Sequence, residues 1–151
     1  MLPDYIIEMC KYSIEKANDE LEISELLLKN KKLSKSLNSS YYAIFHATRG
    51  LLITDGLQRR KHSGLISEFI KSYIAGGKID KKYSKIIKTA EKIRIESDYK
   101  FFYIVSREET EEQLKNARDF VAEITNYLGK KVGITFNPPS SYPGPELADA
   151  G

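Results

Sequence analysis

Apolar residues recur along most of this chain at steps of three and four, the spacing that gathers side chains on one face of an α-helix. Cys10, Ile14, Ala17, Leu21, Ser24 and Leu28 form the first stripe and predict a helix over about residues 4–30, with Pro3 near its start. Lys29-Asn30-Lys31-Lys32 breaks the pattern. A second stripe, Leu37, Tyr41, Ile44, Ala47 and Leu51, predicts a helix over about residues 34–54. Tyr42, Phe45, His46 and Ile53 lie around its other sides, so this helix is expected at the centre of the fold. Asp55-Gly56 ends it.

A shorter helix follows, with Leu65, Ile66, Phe69, Ile70 and Tyr73 on one face and Gly76-Gly77 as its stop. Asp80 is the expected N-cap of a fourth helix that buries Tyr83, Ile86, Ile87, Ala90 and Ile93. Residues 99–105 (Tyr-Lys-Phe-Phe-Tyr-Ile-Val) have strand propensity but no partner strand. They are expected as an irregular continuation of the fourth helix and a packed connection. Ser106 with Glu109 three residues on reads as a capping box for a fifth helix, striped by Leu114, Ala117, Val121, Ile124 and Leu128, with Gly129 as its C-cap. The prediction is an all-α, antiparallel bundle of four to five helices over residues 1–129. Four of the five prolines fall in the last 14 residues, so residues 130–151 are expected to form an extended or disordered tail.

Composition narrows the classes of function. At 41% hydrophobic and 30% charged residues, the 151-residue chain reads as one soluble globular domain. No apolar run is long enough to span a membrane. The opening Met1-Leu2-Pro3-Asp4 lacks the layout of a secretion signal, so a cytoplasmic location is expected. One cysteine and two histidines leave no material for a disulfide or a metal centre, and no metal or cofactor is expected. Gly76-Gly77 lacks the Lys-Ser/Thr of a phosphate loop.

Charge is unevenly spread. Residues 1–28 hold seven acids against two bases, residues 57–94 eleven bases against three acids, and residues 95–128 eight acids against four bases. The basic block suits phosphate, since each lysine or arginine that neutralises one releases a counterion. It equally suits a solvated helix face balanced by acidic neighbours. Arg59, Arg60 and Lys61, just ahead of His62, are its densest cluster. Arg94 stands on an otherwise apolar ladder, Tyr83, Ile87, Ala90, Arg94, with Asp98 one turn further as its obvious ion-pair partner. The over-apolar second helix and residues 99–105 together predict a homodimer.

Several blocks, in order, resemble the HEPN (higher eukaryotes and prokaryotes nucleotide-binding) domain family. They are Ser40-Tyr41-Tyr42-Ala43-Ile44-Phe45-His46-Ala47, Leu51-Leu52, Lys61-His62-Ser63-Gly64, Gly77 with Asp80 and Tyr83, Ile93-Arg94-Ile95-Glu96-Ser97-Asp98-Tyr99, and Ala117 with Phe120. The resemblance spans about residues 5–128. It implies a dimeric bundle that is either an RNA-cleaving toxin or the partner of a minimal nucleotidyltransferase, with nucleotide or RNA as ligand. It puts Arg94 at the place of the family's nuclease arginine, which a histidine follows after four to six intervening residues. Those places hold Tyr99, Lys100 and Phe101 here, so the nuclease motif is incomplete. Tyrosine titrates near 10 and is a poor base at neutral pH.

The leading expectation is therefore binding of a nucleotide or RNA phosphate by Arg94, Asp98, Tyr99, Arg59, Arg60, Lys61 and His62, within a toxin–antitoxin-like pair. The competing reading of Arg94 is a structural pair with Asp98. An RNA endonuclease using Arg94 with a non-local base such as His46 is one alternative, and an interaction bundle without ligand another. Tyr99 could also be a hydroxyl that a partner enzyme modifies.

Overall fold

A computed structural model of the chain describes residues 2–57, 61–133 and 135–136. Five α-helices follow in order: α1 (Asp4–Lys29), α2 (Leu33–Ile53), α3 (His62–Phe69), α4 (Lys82–Tyr99) and α5 (Arg107–Val132). A single π-helical turn, Ile70–Ile74, extends α3, and the described residues contain no strand. The all-α bundle read from the periodicity is the fold observed.

α1 and α2 form a helical hairpin. Asn30-Lys31-Lys32 turns the chain with Lys31 in the left-handed region (φ 59°), and the Lys32 amide donates back to the Leu27 carbonyl at 2.8 Å. Small residues let the two helices approach closely. Ser24 and Ser36 exchange side-chain-to-carbonyl bonds of 2.9 and 2.8 Å, and Ser24 Oγ lies 2.8 Å from Ser40 Oγ. A Cβ added at Gly50 would stand 3.1 Å from Ser13 Cβ and 3.4 Å from the Cys10 carbonyl oxygen.

α2 is the central helix. It packs against α1, α3, α4 and α5, and Tyr41, Ile44, Leu51 and Leu52 on it are fully buried. Its wide apolar circumference is thus covered within one chain. Cys10, Ile14, Phe69, Tyr73, Ile87, Phe120, Ile124 and Leu128 complete the core.

Helix ends mostly follow the predicted chemistry. Ser106 Oγ accepts from the Glu109 amide at 3.0 Å as expected, while α4 has Lys81 at its N-cap position and Asp80, one residue earlier, accepts from the Lys82 amide at 2.8 Å. The C-terminal boundary differs. α5 runs through Gly129 and ends at Val132, with Gly133 as the left-handed cap (φ 69°). A glycine inside a helix costs about 1 kcal/mol, and tertiary contacts outweigh it here. Lys131 Nζ donates to Thr54 Oγ1 (2.8 Å), Asp55 Oδ1 (2.5 Å) and the Tyr73 hydroxyl (2.7 Å), and the Tyr73 hydroxyl itself donates to Asp55. The cluster fastens the last turn of α5 to the end of α2 and to the π-helical turn. Residues 137–151 of the expected tail lie outside the described residues.

The second difference concerns residues 99–105. α4 stops at Tyr99, and the connection does not pack. Tyr99, Phe101, Phe102 and Ile104 are 82%, 94%, 87% and 87% exposed. Among the described residues no element covers these four side chains. Tyr103 and Val105 are half-buried, and the Tyr103 hydroxyl donates to Glu109 Oε1 at 2.9 Å.

Candidate functional site

The ladder on α4 sets the position of the first residue. Tyr83, Ile87 and Ala90 face the core, so Arg94, one turn beyond Ala90, emerges at the rim of the same face. There it meets Tyr41 of α2. The guanidinium carbon lies 4.9 Å from the Tyr41 ring centroid, within cation–π range. Arg94 Nη1 stands 3.3 Å from Asp98 Oδ2. The Arg94 side chain is 20% exposed and its Nε is buried without a hydrogen-bond partner.

His62, the first residue of α3, arrives from another direction. Its ring stacks on Phe45 at 4.0 Å between centroids, with planes 15° apart, and lies parallel to Tyr41 at 5.6 Å and 9°. Tyr41 and Phe45, four residues apart on α2, thus share one stack with it. The Tyr41 hydroxyl is 2.7 Å from His62 Nδ1. Three helices therefore converge on Tyr41. A serine contact, Ser34 Oγ to Ser97 Oγ at 3.2 Å, ties the start of α2 to the end of α4 close by.

The electrostatics follow from this packing. Burial pushes the Tyr41 phenol up to about 12, against the pull of the Arg94 charge and hydrogen bond, so it keeps its proton at neutral pH. Burial and then Arg94 hold His62 below the usual imidazole range. The site thus presents a fixed cation, a protonated phenol and a neutral imidazole. Arg94 has five N–H donors, and the one ion pair to Asp98 leaves a fork suited to a planar or tetrahedral oxyanion.

Of the residues singled out from sequence, Arg94, Asp98 and His62 come together here. His46 packs against the rings of Tyr42 and Phe45, and burial, Lys16, Arg49 and His62 depress it to about 4. Tyr99 is exposed beyond Asp98, and Lys100 Nζ pairs with Glu96 at 3.2 Å. Lys61 is exposed at the N-cap position of α3, while Arg59 and Arg60 lie outside the described residues. Lys81, Lys82, Lys85 and Lys88 line a shallow depression of about 470 Å³ at the start of α4. Lys88, the nearest of them, lies six residues from Arg94 on α4, roughly 9 Å along the axis and about 120° around it, so the lysine cluster and the arginine lie on different faces of the helix. Cys10 is buried and pushed up to about 11, which leaves no thiolate for chemistry. The described residues contain no grouping of three or more His, Cys, Asp or Glu that could hold a metal ion, and no helix long and apolar enough to cross a membrane.

Sequence reasoning read Tyr41 as a core aromatic and missed its place at the centre of the site. The available signal was its helical spacing to Phe45 within the same block, Ser40 to Ala47.

Comparison with known proteins adds a lineage. The HEPN domain model matches residues 10–127. A UPF0332 protein of Thermotoga maritima is 29% identical over 121 residues, covering 80% of this chain and 92% of that one. A Methanocaldococcus jannaschii protein named as a candidate toxin is 33% identical over 115 residues, covering 76% and 85%. A second such protein of the same organism is 30% identical over 118 residues, covering 78% and 80%.

Proposed function

The chain belongs to the HEPN domain family, and from that premise we propose that it is the phosphate-binding member of a toxin–antitoxin-like pair. The ligand is a nucleotide or RNA phosphate held by Arg94, and the pair is completed by a minimal nucleotidyltransferase. The single observation that carries the reading is the state of Arg94. Its guanidinium is positioned on the Tyr41 ring and pinned at one nitrogen by Asp98, while Nε has no partner. A rim arginine with an unfilled fork beside an aromatic ring is matched to an oxyanion. The toxin names borne by two relatives support the biological setting.

Binding is favoured over cleavage because Tyr99, Lys100 and Phe101 stand where a local general base would be needed. The convergence of His62 on Tyr41 is what favours the second reading, RNA cleavage at the same site. The exposed side chains of Tyr99, Phe101, Phe102 and Ile104 supply an apolar surface for assembly, as a homodimer or with the nucleotidyltransferase.

The test is fluorescence anisotropy with a short single-stranded RNA and, in a parallel arm, with AMP. RNA affinity is expected to fall with salt by about 0.7 log units per log unit for each phosphate neutralised, and Arg94→Lys to weaken it. Absence of binding to either ligand at low salt would overturn the reading, and scission of the RNA in a parallel gel assay would establish the second one.

A further inference from the structure

Two polar groups converge on the buried Tyr41 hydroxyl among the described residues, and they have different capacities. Arg94 carries only donors. His62 Nδ1, at 2.7 Å, is able to accept. The phenol keeps its proton, so that proton has one acceptor in reach, and the hydroxyl donates to Nδ1. A neutral imidazole that accepts at Nδ1 carries its own proton on Nε2. His62 is half-buried, and among the described residues its hydrogen bond is the one at Nδ1. Stacking on Phe45 at 4.0 Å holds the ring in one plane, so the direction of the Nε2–H is fixed before any ligand arrives.

We propose that His62 is the second phosphate-binding residue of this site, donating from Nε2–H to the oxyanion that Arg94 holds, with Tyr41 as the positioning residue that sets the tautomer. The inference rests on the reading of Arg94 as a phosphate contact and deepens it. It gives the site two donors from two helices, one charged and one neutral. It also assigns His62 a role other than general base, because Nδ1 is taken by Tyr41 and Nε2 already carries a proton. The same arrangement explains why a histidine sits in an aromatic stack under the influence of a nearby arginine: a neutral donor coexists with that cation, whereas an imidazolium would be repelled by it. Tyr41 has no contact with the ligand in this account. Its hydroxyl proton is used on His62, and its ring supports the guanidinium.

The experiment is NMR of the full chain with ¹⁵N-labelled histidine and arginine, titrated with inorganic phosphate. In the free protein, long-range ¹H–¹⁵N correlations should show His62 with a protonated Nε2 and a hydrogen-bonded, unprotonated Nδ1, and the Tyr41 hydroxyl proton should exchange slowly. Phosphate should then shift His62 Nε2 and Arg94 Nε together, with His46 unmoved. Tyr41→Phe keeps the ring and should lose the defined tautomer and weaken phosphate several-fold. His62→Ala should weaken it about tenfold, the usual size of a hydrogen bond to a charged group. A protonated Nδ1 in the free protein overturns the inference whatever phosphate does. A saturable shift at Arg94 with His62 unmoved overturns it and leaves the phosphate reading standing. Shifts at neither residue overturn both. Parallel titrations with AMP and with a short RNA whose only phosphates are internal diesters then separate the two sources of phosphate.

Discussion

The Arg94–Asp98 pair is the most informative place to perturb, because structure and binding make opposite demands on it. If Asp98 restrains an arginine whose work is to hold phosphate, removing its charge should cost little stability and strengthen binding. The magnitudes follow from the geometry. The charged atoms are 3.3 Å apart, but the Asp98 side chain is 41% exposed and Arg94 20%. Pairs this wet are worth less than about 1 kcal/mol, near the ~1 kcal/mol that Coulomb's law gives at 4 Å in water. Asp98→Asn should therefore lower the melting temperature by no more than about 4 °C. The same energy no longer opposes the ligand. Since 1.4 kcal/mol corresponds to about tenfold, anion affinity should rise by up to roughly fivefold. Differential scanning fluorimetry and anisotropy on one preparation give both numbers. An affinity that falls in step with the melting temperature would refute the reasoning and return Arg94 to a purely structural role.

Other expectations are independent of the ligand. Gly50→Ala adds helix propensity but brings a Cβ within 3.1 Å of Ser13 Cβ and 3.4 Å of the Cys10 carbonyl on the buried face of α1, so chemical denaturation should show a loss of about 1–2 kcal/mol, whereas a gain would mean α1 and α2 separate freely. His46 titrates near 4 in the fold and near its ordinary 6.5 when unfolded, so the unfolded chain takes up the proton first. Its contribution is complete above about pH 6.5 and is lost as pH falls towards 4. Solvent contact limits it to about 1–2 kcal/mol, and His46→Gln should flatten the acid limb of a stability–pH profile. His62 is shifted in the same direction and adds with the same sign. Phe101→Ser with Phe102→Ser should leave the melting temperature of the isolated chain unchanged, since both rings are more than 85% exposed. If the native chain is a dimer through this surface, light scattering of the double variant should show a monomer.

Much of the fold was legible because it depends on local spacing. The stripes through Cys10–Leu28, Leu37–Leu51 and Leu114–Leu128 needed only the helical repeat, and Ser106 and Asp80 needed only capping chemistry. Arg94 and Asp98 were visible as a pair because four residues make one turn. The meeting of Tyr41, His62 and Arg94 was not visible, since it depends on how three helices pack, and no local rule brings residues 41, 62 and 94 to one point. Residues 99–105 misled for a related reason. Hydrophobic composition predicts burial only when an element lies opposite, and among the described residues none covers Tyr99, Phe101, Phe102 or Ile104. Gly129 looked like a helix stop because its tertiary compensation, Lys131 reaching Thr54, Asp55 and Tyr73, is 58 to 77 residues away in sequence. Likewise, Ser24 could be placed on the first stripe, but its bonds to Ser36 and Ser40 depend on how α1 lies on α2.

The central claim is that Arg94 holds a phosphate by a fork of N–H donors. Arg94→Lys keeps the charge and removes the fork. Affinity for a short single-stranded RNA, measured by anisotropy at one low salt concentration for the native chain and this variant, tests it most directly. The account predicts a loss of about tenfold or more with the melting temperature within a few degrees of native. Equal affinities would contradict it, because any positive charge at position 94 would then serve as well.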